Sequence, residues 1–230
     1  SLSCAVLYGQ AGDEGRDTLN QALSSLPWSE QELNAISEIV ESDVYTRSAA
    51  TERTFKTLAP NYGIIHLGTH AILDDRDPLY SKFVFSPEKN GGEDGYLYTY
   101  ELYDLILHAN LVVLSACNTG TGKIVRGEGI MSLARGFMYA GCPSIVLSLW
   151  AVDDKATSLI MTEFYKNLLE RKSKDVALRD AKLALLKKGD PVLSNPYYWA
   201  GFVAIGNTDP IELNAPRPNY WPWILGAMGV

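Results

Sequence analysis

Disulfide-forming capacity is what this sequence most conspicuously lacks. Its three cysteines, Cys4, Cys117 and Cys142, are too few and too odd in number for a disulfide framework. That excludes a stapled secreted mini-domain and points to a reducing, cytoplasmic setting. Positive charge is scarce as well, with a net charge of −7, and the nearest thing to a basic cluster, "LERKSKD" at Leu169 to Asp175, alternates with acids as a solvated helix end does. No nucleic acid is expected as a partner. Long apolar runs are missing too. The tail, residues 209–230, passes from a Pro-rich linker through "NYWPWILGAMGV", and only seven residues follow Trp223, against the ~20 needed to span a bilayer. Trp at the head of an apolar run is typical of a membrane interface. The tail therefore fits either a packed or disordered end or a truncated transmembrane start, with membrane contact expected only if the run continues. The chain opens mid-strand, at "SLSCAVLYG", without a signal peptide, as an excised fragment would.

What is present is an ordinary globular composition. The 230 residues are 47% apolar and 20% charged, enough to build a core that needs no disulfide or metal staple. Apolar runs alternate with helical periodicity along 1–208, expected as one domain. Leu2 to Tyr8 is predicted as a strand, and "WSEQELNAISEIVES" as a helix from about Glu30 to Glu41 with Ser29 as N-cap and Glu32 as its capping-box partner. A short strand at Val44 to Thr46 and a helix in "SAATERTFKTLAP", stopped by Pro60, follow. "NYGIIHLGTHA" is a strand ending in a loop, and the polar stretch Asp74 to Gly95 carries an outlying hairpin strand in "LYSKFVFSP". "TYELYDLIL" is predicted as a short helix, "ANLVVLSAC" as a strand, "GEGIMSLARGFMYAG" as a helix and "PSIVLSLW" as a strand. Two helices then follow, one capped by Asp153 or Asp154 with Ile160, Phe164 and Leu168 at four-residue spacing, the other closed by Gly189. "YYWAGFVAIG" is the last strand.

Unbroken apolar strands alternating with helices predict an α/β fold, a mostly parallel sheet with helices on both faces. Chemistry in such a sheet lies at the carboxyl ends of the strands. This selects "HLGTHA", "LSACNTG" and "LWAVDD", which present His70, Cys117 and the pair Asp153 and Asp154. If their strands are neighbours, an imidazole and a thiol converge, and an imidazole that takes the thiol proton makes a nucleophile of it. Glycines beside Cys117 would let backbone N–H groups approach a reacting carbonyl. From spacing alone the alternative stays open, because free Cys is among the most buried residue types and a loop histidine can simply cap a strand.

The blocks "IIHLGTHA", "DPLYSKFVF", "ANLVVLSACNTGTGK", "GEGIMSLARGFMYAGCPSIVLSLWAVDDKAT" and "YYWAGFVAIG", in that order from about Ala5 to Gly206, resemble those of a CHAT domain, the caspase-like module usually found behind TPR repeats. The resemblance implies a caspase-like fold and a cysteine endopeptidase acting on protein substrates, with no cofactor and no metal. By position it implies His70 as general base or acid, Cys117 as nucleophile, and the backbone amides of Ala71 and Cys117 as oxyanion donors. Ala71 stands where caspases have Gly. "SLWAVDDKAT" also resembles the separase stretch in which an acid lines the specificity pocket. That implies Asp154, with Asp153 second, as selecting a basic residue before the cut, and Trp150 as a pocket wall. Asp at this point is equally the natural N-cap of the next helix. The resemblance further implies TPR repeats or a regulatory protein outside this chain. The alternative reading is a catalytically inactive caspase-like docking or signalling module.

Other motifs lead elsewhere. "TGTGK" fails as a phosphate loop, because the residue five before Gly122 is Cys117 and Lys123 is followed by Ile124. "HLGTH" spaces His66 and His70 for zinc only on a helix. His66 is expected as a buried strand histidine, His108 as a helix-end one, and Cys4 and Cys142 as core.

Overall fold

The computed structural model describes residues 3–8, 27–74, 76–88, 91–115 and 128–216. Among these, a six-stranded sheet is ordered β2-β1-β3-β7-β8-β9 and a smaller three-stranded sheet β4-β5-β6. The large sheet consists of β1 (Cys4–Tyr8), β2 (Ser42–Thr46), β3 (Ile64–Leu67), β7 (Leu111–Leu114), β8 (Ser144–Ser148) and β9 (Phe202–Gly206). Every neighbouring pair is parallel except β8 with β9. Strands β3, β7 and β8 are buried along their whole length, which is why they are predominantly apolar with no polar alternation; His66 is the polar residue inside β3.

Helices cover both faces. Side chains at alternate strand positions, Val6, Ile64, Val113 and Val146, point to one face and pack on α1 (Pro27–Ile39), α5 (Asp154–Leu169) and α6 (Lys174–Lys187). The intervening positions, Leu7, Ile65, Val112 and Leu147, meet Phe55 of α2 (Glu52–Leu58), Leu102 of α3 (Thr99–Leu102) and Phe137 of α4 (Glu128–Tyr139). Gly189 follows α6 with φ 70°, the left-handed closure that glycine adopts at low cost.

The stretch Asp74 to Gly95 contains β5 (Lys82–Val84), the middle strand of the small antiparallel sheet between β4 (Ala71–Ile72) and β6 (Tyr96–Tyr98). Its base is tied to α2 by charge. Lys56 Nζ lies 2.6 Å from Glu52, 3.3 Å from Glu93 and 2.7 Å from Glu101, so one ammonium occupies the centre of a three-carboxylate cluster.

Three elements differ from expectation, two of them carrying a predicted residue with them. Helix α1 begins at Pro27, placing Ser29 inside the helix and not at its N-cap; proline's fixed φ suits a first helical turn. Glu32 is consequently no capping-box partner but a fully buried residue. Helix α3 stops at Leu102, because the following residues alternate with period two, Leu107 and Ala109 buried and Ile106 74% exposed. His108 therefore sits exposed in a segment without regular secondary structure, not at a helix end. Finally, Asn195 Oδ1 accepts from Tyr197 N at 3.0 Å and opens a 3-10 turn over Pro196–Tyr198, so β9 starts only at Phe202.

Candidate active site

The carboxyl ends of β3, β7 and β8 lie side by side. Leu67 pairs with Leu114 and Leu114 with Leu147, and the ladder runs one residue further, since Ser115 N donates to Leu67 O at 3.1 Å. Gly68 N reaches Leu7 O at 2.9 Å, after which the chain leaves the large sheet for the small one. His70 sits in that crossing. Its carbonyl accepts from Val84 N at 2.9 Å, the neighbouring Thr69 hydroxyl donates to the Val84 carbonyl, and Ala71 pairs with Phe83. The residue is thus clamped by β5 on one side and by the β3 ladder on the other, and only 4% of it is exposed. Cys117, the glycine-rich stretch after it and the "TGTGK" motif lie outside the described residues.

Of the acids after β8, Asp153 is the N-cap of α5. Its Oδ1 accepts from Ala156 N at 3.0 Å and its carbonyl from Thr157 N at 2.9 Å. Asp154 follows it in the first turn of α5 and is half-buried. Trp150 is 38% exposed and fixed in place: its Nε1 donates to the Tyr197 carbonyl at 2.9 Å, and its own carbonyl accepts from Ser148 Oγ at 2.6 Å. Tyr197 returns the contact one residue on, its hydroxyl donating to Ala151 O at 2.7 Å. Sequence reasoning missed Tyr197, whose signal was the Asn-Pro turn in front of it.

Gly201 lies beneath this loop. A Cβ there would stand 2.9 Å from Trp150 Cε2 and 2.9 Å from Ser148 Oγ. Gly201→Ala is expected to destabilise the fold by about 1–3 kcal/mol through overpacking, read as a lower urea midpoint with unchanged slope.

The other two cysteines are core residues. Cys4 and Cys142 are buried, and that burial pushes both thiols up to about 12. His66 is wholly buried in β3. Its Nδ1 is 3.1 Å from the Tyr165 hydroxyl and its Nε2 is 3.0 Å from Ser115 Oγ and 2.9 Å from Glu32 Oε1. Burial holds the Tyr165 hydroxyl well above the usual tyrosine range.

A profile of the CHAT domain matches residues 6–207. The chain belongs to the CHAT domain family. Human tetratricopeptide repeat protein 28 is 27% identical over 222 residues, covering 83% of this chain and 9% of that protein. Its mouse counterpart is 32% identical over 116 residues, covering 50% of this chain and 4% of the mouse protein. This CHAT domain therefore spans less than a tenth of the length of the curated relatives it matches. Among solved structures it is similar to separase in the Saccharomyces cerevisiae separase–securin complex, with a TM-score of 0.53 and 14% identity over 90% of this chain and 12% of that one. It is likewise similar to the Arg specific cysteine proteinase gingipain R, with a TM-score of 0.51 and 10% identity over 91% and 47% of the two chains. The fold is caspase-like. Among the described residues, no helix is long and apolar enough to cross a membrane.

Proposed function

We propose that this CHAT domain is a cysteine endopeptidase in which His70 and Cys117 act as a dyad. One observation carries the reading: β3 and β7 are parallel, in-register neighbours, so the chain segments leading to His70 and Cys117 leave the same sheet edge side by side. In the reaction, His70 takes the thiol proton and the sulfur attacks the peptide carbonyl carbon. The backbone amides of Ala71 and Cys117 receive the oxyanion that forms. Collapse of this intermediate breaks the C–N bond, His70 protonates the departing amine, and a thioester remains. Water then attacks the thioester while His70 accepts its proton, releasing the carboxylate product and the free thiol.

Asp154, with Asp153 committed to its cap, is the carboxylate that would receive a basic side chain before the cut, against the Trp150 ring. The Arg specificity in the name of gingipain R supports this choice. The curated relatives are named for their tetratricopeptide repeats, which supports TPR repeats beyond this chain as the regulatory partner, acting in the cytoplasm. A peptide carrying an electrophile after Arg or Lys is expected to add covalently to Cys117 and not to Cys4 or Cys142, as site-resolved mass spectrometry would report. An unlabelled Cys117 in a folded chain, with every such probe, rules the reading out.

A second reading is an inactive docking module that retains the fold. The 4% exposure of His70 favours it, since a general base must reach its substrate.

A further inference from the structure

The buried polar cluster around His66 has no place in the dyad chemistry, yet it sits on the two strand ends from which the chain runs on to His70 and Cys117. His66 is 0% exposed and Glu32 0% exposed. Carboxylates are almost never buried so completely without a partner. Neither oxygen of Glu32 has a hydrogen-bond donor in good alignment among the described residues; its close polar contact is His66 Nε2 at 2.9 Å. The same nitrogen is 3.0 Å from Ser115 Oγ, whose hydroxyl reaches the Leu67 carbonyl at 3.5 Å. A hydroxyl that donates to Leu67 has its lone pairs left to accept from Nε2–H. The opposite ring nitrogen meets Tyr165 of α5 at 3.1 Å. One imidazole thus ties together α1, β3, β7 and α5.

The position of the tie along the strands matters more than its strength. His66 is in the last turn of the pleat before β3 ends, and Ser115 is the first residue after β7. From His66 the chain continues to His70, and from Ser115 to Cys117. A pair buried only for stability could be replaced by packed hydrocarbon at no loss. Polar groups of fixed geometry across two strand ends do something hydrocarbon cannot, which is to set register and spacing there.

We propose that Glu32, His66 and Ser115 are positioning residues that hold the ends of β3 and β7 at the separation the dyad requires. The inference rests on the reading of His70 and Cys117 as that dyad. It assigns the three residues no contact with substrate.

The test uses the whole 230-residue chain and follows alkylation of Cys117 by iodoacetamide across pH, resolved by mass spectrometry, so that no proteolytic turnover is needed. An imidazole partner lowers the thiol below its ordinary value of about 8.5, and His70→Ala reports the profile without that partner. Ser115→Ala removes one hydroxyl and leaves the rest of the core intact. Glu32→Gln keeps the shape and removes the charge. Both are expected to move the profile towards that of His70→Ala, slowing alkylation at neutral pH by about tenfold, one unit of thiol pKa. The melting temperature of Ser115→Ala should stay near wild type, and Ser115→Thr, which restores a hydroxyl, should bring the profile back. Profiles of Ser115→Ala and Glu32→Gln that superimpose on wild type, while His70→Ala differs, overturn the positioning role and leave the dyad standing. A wild-type profile that already superimposes on His70→Ala removes the dyad, and this inference with it.

Discussion

Cys117→Ala is expected to abolish peptide cleavage by this chain, by about 10⁴-fold or more, and His70→Ala to lower it by about 10²–10⁴-fold. The asymmetry follows from the roles. Without sulfur there is no covalent intermediate, whereas without imidazole the small thiolate fraction present at neutral pH still attacks. Raising the pH should therefore recover part of the His70→Ala activity and none of the Cys117→Ala activity. The measurement is steady-state hydrolysis of a peptide with Arg or Lys before the cut, with circular dichroism to show that both variants fold. Cys117→Ala hydrolysis equal to wild type would remove the nucleophile. A Cys117→Ala chain that also keeps its full biological effect would move the balance to the docking module.

The second large effect falls on stability. His66→Leu leaves the Glu32 carboxylate buried at 0% exposure with its contact to His66 Nε2 gone. Breaking a buried pair from one side typically costs about 3–5 kcal/mol. For a domain of this size that corresponds to a melting temperature lower by roughly 6–20 °C. Replacing both partners, Glu32→Leu with His66→Leu, removes the stranded charge and should recover most of the loss, because hydrocarbon of similar volume satisfies that site. The check is a double-mutant cycle by urea unfolding. If His66→Leu alone costs less than about 1 kcal/mol, the contact contributes no more than a surface pair.

The contrast between these two sites explains what could be read from the residues beforehand. Strand order is not written in any single segment, but the apolar character of Leu111–Leu114, and of Ile64–Leu67 apart from His66, required burial on both faces, and hence a parallel sheet with chemistry at its carboxyl ends. His70 followed from that rule alone. Glu32 did not, because a glutamate three residues after a serine at a helix start has a ready local explanation in the capping box. The opposing signal was there: Glu32, Leu33, Ile36 and Val40 fall on one helical face, three of them apolar and all of them buried. Similarly, His66 shares the strand face of Ile64, so its burial followed from period two, but its partners on α1, β7 and α5 are tertiary and left no local mark. Asp153 and Asp154 were both legible as caps of the following helix, and the hydrogen bond from Ala156 N to Asp153 Oδ1 at 3.0 Å assigns the cap to Asp153. The late start of β9 was hidden because Tyr197 and Tyr198 suit a strand as well as a turn.

The anchoring of the Trp150 loop by Tyr197 and Gly201 bears on where the smallest working unit ends. The residues that hold the Trp150 loop beside β8 come only after two long helices have intervened. Expression fragments that stop after α6 would remove β9, which pairs with β8 along its whole length, and the buried Phe202 together with the residues that hold Trp150, and should therefore unfold at a lower urea concentration than the whole chain.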